Sequence, residues 1–358
     1  MAHFRQQWFD DRLNLAEALA EQVGVLLVVN VQGRTSALDD YEGDSIITEF
    51  LKSAELDDLV QGFEDAGIYC ETVDDENGFL QWLETRRPSF PRTHPLVYNL
   101  AQNGTGPARL SLVPGLCRLN NIALIDSDAH AVSIARHKFH LAAILRQCGL
   151  PAARSWWLTQ HGWLPQAPPN GLRVIAKPTY ESASIGIHED SVFEMCPDAV
   201  ERIRPRLAVY RQPLTVQEFI KGFEVEVPIF EADDPHTTIA VGIEVDGKRD
   251  LDDRFLKYDE VACDEYGFYD FADQDPSIAS ETMRIARDAF RVLGLAGVGR
   301  VDFRVNHDGA PIIIEMACKP HMTTHSSFSF AAQHIGASYP DILKFLVGSA
   351  SKRYNFTV

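Results

Sequence analysis

The segment from Arg300 to Met316 constrains the fold most. Arg300-Val-Asp-Phe-Arg-Val305 alternates polar and apolar residues, the period of a half-buried strand, and Pro311-Ile-Ile-Ile-Glu-Met316 reads as a second strand. Asp308-Gly309 lies between them, the pair favoured in a two-residue type I′ hairpin loop. A loop at those residues sets Asp302 directly opposite Glu315. Carboxylates so placed have Cβ atoms ~4.5–5.5 Å apart and repel, so a cation belongs between them. Arg300 and Arg304 share that face, and balance by these arginines is one reading. A divalent metal is the other, because paired hard oxygens suit Mg²⁺, which binds through carboxylates plus substrate phosphates.

The rest of the chain alternates strand and helix signals. Residues 24–31 form a continuous apolar, β-branched run, as in a buried parallel strand. Short runs at 67–72, 96–100 and 122–125, with helix-like stretches at 44–52 and 56–66, predict an open α/β domain over residues 1–126. Helical periodicity over 128–149 stops at Gly149-Leu-Pro151. Gln160–Gly171, with Pro165, Pro168, Pro169 and Asn170, reads as a loop. Strands at Arg173–Lys177 and Leu214–Phe219, with a helical stretch at 198–208, make a central lobe over 127–215. Residues 216–358 form a C-terminal lobe. There Ile278, Thr282, Ile285, Ala286, Ala289, Phe290 and Leu293 make one helical stripe, stopped by Gly294. The fold class is α/β, with α+β lobes.

Composition narrows the partners. The net charge is −18, which argues against nucleic acid, whose binding rests on neutralising phosphates. No apolar run approaches the ~20 residues of a membrane span. The first eleven residues are too charged for a signal-peptide core. Six scattered cysteines without a CxxC pair fit a reduced, cytoplasmic protein. After Lys177-Pro178 comes Thr179-Tyr-Glu-Ser-Ala-Ser-Ile-Gly186, whose small residues let backbone N–H groups approach phosphate oxygens, with Lys177 as a point charge. A plain turn is the alternative. Neither GxxxxGK[ST] nor GxGxxG occurs.

In order along the chain stand Arg136-His-Lys138, Cys148-Gly-Leu-Pro151, Val174-Ile-Ala-Lys-Pro178 through Ile185-Gly186, and Val216-Gln-Glu-Phe-Ile-Lys-Gly-Phe-Glu224. Lys257-Tyr258, Gly299-Arg-Val-Asp302, Glu315 through Pro320, and Met322-Thr-Thr-His-Ser326 follow. Together they resemble the ATP-grasp ligases, most of all the D-alanine–D-alanine ligases, over most of residues 95–327. The resemblance implies a three-domain ATP-grasp fold and a cytoplasmic ligase that joins a carboxylate to an amine, as in a dipeptide, through an acyl phosphate. It implies ATP and Mg²⁺ as cofactors, with Mn²⁺ able to substitute, amino acids as small-molecule substrates, and a homodimer.

The resemblance also implies roles. Lys138 and Lys177 would grip the nucleotide phosphates, and loop 179–186, with Glu181 and Ser184, would close over them. Gln217, Glu218, Phe219 and Ile220 would meet adenine, and Glu224 the ribose. Asp302 and Glu315 would carry Mg²⁺. Arg300 would stabilise the tetrahedral oxyanion, Lys257 and Tyr258 would start a lid, and His321 and Ser326 would border the acceptor, Ser326 at its carboxylate. The acyl phosphate needs shelter from water, hence the lid.

The sequence departs from the family near substrates and metal. Glu315-Met-Ala317 replaces Glu-x-Asn, His321 replaces a glycine, and Ala183-Ser184 replaces a serine pair. Leu38 follows Thr35-Ser-Ala37 where a glutamate would bind the donor's ammonium; Asp39, Asp40 and Glu42 are nearby substitutes. These departures imply altered substrates. Two other readings compete: a non-catalytic nucleotide-binding protein, on Ala317, and a zinc hydrolase using Cys318, His321 and His325, whose spacing suits zinc.

Overall fold

The computed structural model describes residues 6–255, 266–320 and 322–357. Helix α1 (Gln7–Ala18) leads into β1 (Val23–Val29), buried along its whole length. There follow α2 (Ser53–Asp65), β2 (Tyr69–Asp74), α3 (Asp75–Thr85), β3 (His94–Asn99), α4 (Leu112–Leu119) and β4 (Ala123–Leu124). The strands form a parallel sheet in the order β2-β1-β3-β4. Residues 44–52, expected as a helix, hold only a 3₁₀ turn at Ile46–Glu49. The Asp40 carboxylate accepts from the Ser45 hydroxyl and the Ile46 amide, local bonds that compete with a helix.

The helix expected over 128–149 is two helices, α5 (Ala129–Arg136) and α6 (Lys138–Gln147). His137 between them leaves the helical region and caps α6, accepting from the His140 amide. Next come β5 (Ser155–Thr159), β6 (Gly162–Leu164), β7 (Arg173–Pro178), β8 (Val192–Glu194), α7 (Ala199–Ile203), α8 (Pro205–Val209) and β9 (Leu214–Glu218). They build an antiparallel sheet, β6-β5-β9-β7-β8. Two expectations change: β6 lies inside the presumed loop 160–171, and Pro205 splits the helix at 198–208. The expected boundary at 215/216 falls within β9, which pairs with β5 and β7 and so belongs wholly to this sheet.

The remaining elements are β10 (Phe223–Glu231), β11 (Pro235–His236), β12 (Val241–Glu244), β13 (Gly267–Asp270), α9 (Pro276–Leu293), β14 (Val298–Val305), β15 (Pro311–Ala317), α10 (Ser327–His334) and α11 (Tyr339–Arg353). The third sheet runs β13-β12-β10-β14-β15, with β11 beside β10. One face carries Val225, Val227, Val301, Phe303, Ile313 and Met316, packed under Ile285, Ala286, Ala289 and Phe290 of α9. Asp275 caps the start of α9, and Gly294, left-handed at φ 63°, ends it as predicted. The last helix does not stay with its own sheet. Phe345 of α11 stacks on Phe9 of α1 at 4.7 Å, and Leu343 and Leu346 join β1 in one core. Among the described residues no helix is long and apolar enough to cross a membrane.

Strands β14 and β15 form the expected hairpin, with a different loop. The Asn306 carbonyl accepts from the Gly309 amide at 2.9 Å and the Asn306 amide donates to Ala310 at 3.1 Å, so the turn spans five residues. Val305 therefore faces Pro311 rather than Ile312. A bulge then shifts the register between Asp302 and Phe303, and the two one-residue displacements cancel. Asp302 still faces Glu315.

Candidate active site

The polar face of the third sheet is laid out in cross-strand rows. Glu226 of β10 faces Asp302 of β14, and Asp302 faces Glu315 of β15. One row toward the start of β14, Pro228, Arg300 and Ala317 align; one row the other way lie Glu224, Arg304 and Ile312. Three carboxylates thus cross three adjacent strands. Each has a resident cation. Arg300 bonds Asp302 in a fork, Nε at 2.7 Å and Nη2 at 2.9 Å, and its Nη1 reaches Glu226 at 3.1 Å. Lys138 Nζ lies 2.5 Å from Glu315 Oε1 and also donates to the Glu181 carbonyl. Of the two arginines weighed as counterions, only Arg300 serves the pair. Arg304 instead bonds Glu224 at 3.1 Å and the carbonyls of Ile220 and Asp252.

Burial tunes these groups. It works to raise Glu315, but Lys138 and Lys177 outweigh it and hold the carboxyl below its usual range. Glu226 goes the other way. Burial lifts it to about 7, with Arg300 offsetting this only in part and Asp302 adding to it. Burial pulls Lys177 below the ordinary amine value against the pull of Glu315. Its Nζ donates to Gln217 Oε1 at 3.2 Å, and Gln217 Nε2 donates to the carbonyl of Ile314, the residue the bulge leaves unpaired.

The strand end 217–220 forms the far edge. The guanidinium groups of Arg173 and Arg304 both lie over the Phe219 ring, and the Phe219 amide donates to the Arg173 carbonyl at 3.0 Å. The Glu218 side chain turns outward to a fork with Arg154 at 2.7 and 2.8 Å. Gly222, at φ 125°, passes so close to the Val305 carbonyl that a Cβ would lie 2.1 Å from it. Only glycine lets β10 start beside β14 here.

Loop 179–186 is docked on the first domain. Ile185 packs with Tyr41, Ile46, Phe50 and Tyr210. Ala183, Ser184 and Gly186 are left-handed, at φ 48°, 55° and 76°. Glu181 does not turn its carboxylate outward. It is 1% exposed and accepts from Tyr41 at 2.7 Å, from Gln212 at 2.8 Å and from Arg109 at 2.6 and 3.0 Å. Its side chain is fully engaged by these partners, and its place against the nucleotide rests on the sequence resemblance. Ser184 is half-buried in the same loop.

Sequence reasoning missed this hub. Glu49 bonds Arg136 at 2.8 and 2.9 Å, Arg109 at 3.1 Å and the Ser182 amide at 2.9 Å. Burial would raise Glu49, but Arg136 and Arg109 outweigh it and hold the carboxyl at about 2. Asp39, Asp40 and Glu42, the expected substitutes for a donor ligand, do not form this cluster. Asp39 pairs with Arg211 and Thr105, and Asp40 serves its own turn. Glu226 was also missed, although the alternation Phe-Glu-Val-Glu-Val from Phe223 signals it.

The acceptor end lies by α10. Ser326 caps that helix: its hydroxyl accepts from the Ser329 amide at 3.2 Å and donates to the Thr323 carbonyl at 2.9 Å. Lys257, Tyr258 and His321 fall outside the described residues. Among the described residues no three His, Cys, Asp or Glu side chains group as metal ligands. Cys318 lies in the core on the other face of the sheet, where burial raises its thiol to about 11, and His325 packs against Phe268 at 5.1 Å. The zinc arrangement therefore has no geometric support among them.

Comparison with known proteins agrees with this architecture. A family model described as D-ala D-ala ligase C-terminus matches residues 144–348. The D-alanine–D-alanine ligase of Bordetella avium is 27% identical over 243 residues, 67% of this chain and 73% of its own. The uncharacterized protein y4sG of Sinorhizobium fredii is 24% identical over 83% of this chain and 88% of its own. Among solved structures, D-alanine–D-alanine ligase from Bacillus anthracis complexed with ATP superposes with a TM-score of 0.68 at 13% identity, covering 94% of this chain and 99% of that one. VanG D-Ala:D-Ser ligase from Enterococcus faecalis gives 0.64 at 15% identity, covering 92% and 99%. With the family match running through the phosphate-side and carboxylate-bearing sheets, the chain belongs to the D-alanine–D-alanine ligase family and is an ATP-grasp ligase.

Proposed function

We propose that this enzyme activates a carboxylate with ATP and Mg²⁺ and joins it to an amine, on substrates changed from those of its named relatives. The observation that carries the reading is the row of Glu226, Asp302 and Glu315 with Lys138, Lys177 and Arg300 around it. Opposed carboxylates on adjacent strands fit a divalent cation, so Asp302 and Glu315 are assigned to it. When bound, Mg²⁺ would neutralise phosphate oxygens.

The protein's own groups do the rest. Lys138 and Lys177 hold phosphate oxygens, Lys138 leaving Glu315 as they arrive. Loop 179–186, already docked through Ile185 and Glu49, shields the acyl phosphate from water. Arg300 stands where the tetrahedral oxyanion forms, and such a donor is typically worth ~2.7–4 kcal/mol. Gln217, Phe219 and Ile220 offer the adenine edge and Glu224 the ribose contact, with Arg304 orienting Glu224. Lys257, Tyr258, His321, Ser184 and Ser326 keep their assignments to lid, loop and acceptor border on the sequence resemblance. Ala317 beside Arg300, together with Glu226, supports altered substrates.

The test is ADP release from ATP and Mg²⁺ with pooled D- and L-amino acids and amines, with mass spectrometry of the products. A product of two substrates less water is expected. ATP binding without turnover across the pools would favour a non-catalytic nucleotide-binding protein instead.

A further inference from the structure

The polar file of β15 continues past the carboxylate row. Met316 and Cys318 point into the core under α9, so Glu315, Ala317 and Lys319 share the opposite face. Ala317 aligns with Arg300, and its small methyl group leaves the space there open. Lys319 lies two residues further, roughly 6–7 Å along the chain at the strand rise. There it meets the first domain at the carboxyl ends of the parallel strands, beside Leu110, Asp126 and Glu76. In that sheet β1 has β2 on one side and β3 on the other. The crevice outside such a switch point is where open α/β sheets take ligands.

The groups acting on the Lys319 ammonium are Asp126 after β4, its neighbour Cys318, Glu76 after β2 and Arg136 of α5. Glu76 is held by Asn30 Nδ2 at 3.4 Å and the Asn103 amide at 2.9 Å, and Arg136 is spent on Glu49. Asp126 bonds no other side chain, and both its oxygens are sealed from solvent. Among the described residues Lys319 Nζ makes one bond, a long one of 3.4 Å to the Leu110 carbonyl, and no carboxylate pairs with it. Burial draws the ammonium below the ordinary amine value, and Asp126 holds against this. Lys319 keeps part of its surface open while Asp126 keeps none, so an anion in the cleft reaches the lysine and not the carboxylate behind it. A crowded cation with one weak partner lacks an anion.

The nucleotide phosphates belong to Lys138 and Lys177, at the Glu315 end of the file. An anion at Lys319 therefore comes with the acid to be activated, whose reacting carboxylate lies by Arg300. The step from the Arg300 row to Lys319 is one that a short dicarboxylic acid spans.

We infer that Lys319 selects a donor carrying a second carboxylate, held by its ammonium while the first is activated. The inference rests on the ligase reading above and narrows it. The γ-phosphoryl group passes from ATP to the first carboxylate: the P–O bond to ADP breaks and a P–O bond to the carboxylate forms. The second carboxylate keeps its charge and stays on the lysine.

Hydroxylamine, which attacks an acyl phosphate to give a hydroxamate and phosphate, reads the donor half-reaction without any amine substrate. The donors are succinate, glutarate, and aspartate and glutamate of both hands, each against its own mono-amides. A mono-amide keeps the size and one carboxylate and loses the second charge. For at least one of these acids, kcat/KM is expected to exceed that of its mono-amides by about tenfold or more. Lys319→Met should bring that ratio close to one, chiefly through the KM of the diacid, and Lys319→Arg should keep the preference. A lysine that merely fills space would change both members of a pair alike. Melting temperature and binding of a non-hydrolysable ATP analogue check that the variants fold, and Lys319→Gln replaces Lys319→Met if methionine does not. Mono-amides activated as well as the diacids by the wild-type enzyme, or a ratio untouched in the Lys319 variants, overturn the inference alone. Hydroxamate from simple monocarboxylates or neutral amino acids in preference to every diacid does the same. No hydroxamate with any carboxylate overturns the ligase reading and this inference with it.

Discussion

Lys138 Nζ and Glu315 Oε1, assigned by resemblance to a phosphate and to a metal, bond each other at 2.5 Å. Each stands in for the other's ligand. Nucleotide and metal must separate this pair, and Arg300 from Asp302, so the two should bind as a coupled event.

Glu315→Gln removes one side of the pair. Without metal, it should bind a non-hydrolysable ATP analogue several-fold more tightly, because Lys138 is freed and a negative charge is gone. Turnover with Mg²⁺ should fall on the order of 10²-fold or more. Calorimetry in chelator and a steady-state assay read the two effects. Tighter binding should be absent in Lys138→Met/Glu315→Gln.

Ala317→Asn places a third oxygen ligand beside the Asp302–Glu315 row, in register with Arg300. The Mg²⁺ concentration for half-maximal turnover should drop. An unchanged Mg²⁺ titration would show that position 317 does not meet the metal.

Glu49 links the first domain to loop 179–186. Glu49→Gln leaves the buried Arg109 and Arg136 short of charge, with an expected cost of about 3 kcal/mol. Denaturant melts should show the loss, and hydrogen exchange at the Ser182 amide should accelerate. The folded carboxyl sits at about 2 against an ordinary 4.5. Its contribution is therefore full above 4.5 and lost as pH falls toward 2. Wild-type and variant stabilities should converge in that window.

Asp126 follows β4, is 3% exposed, and neither of its side-chain oxygens bonds another side chain. Burial lifts it to about 6 despite Lys319 and Arg353. A raised carboxyl favours folding below its unfolded value of 3.8, and that gain is lost as pH rises through 6. Asp126→Asn should stabilise the protein at pH 7 by on the order of 2 kcal/mol, and the advantage should vanish near pH 4. Thermal melts across that range decide it.

Much of this was local and therefore readable in the chain. The alternation of residues 300–305, the apolar run of β1, the stripe of α9 and its Gly294 stop depend on neighbours a few positions apart. The Asp302–Glu315 pairing was reached through a turn that the structure corrects. The five-residue loop and the bulge at Ile314 each move the register by one, and only their sum restores the pair. The helix expected at 44–52 failed because Asp40 supplies a nearer partner for its first residues.

By itself, the sequence determined the three groups of strands, the hairpin with its opposed carboxylates, and the kinship to ATP-grasp ligases, since periodicity and short motifs are set by adjacent residues. The tertiary structure alone decided which charge meets which. Glu181 turned into a buried hub, Lys138 settled on Glu315, and Glu49 reached Ser182 across 133 positions of chain. Ion pairs form wherever packing brings opposite charges together and excludes water, and sequence separation carries no record of that.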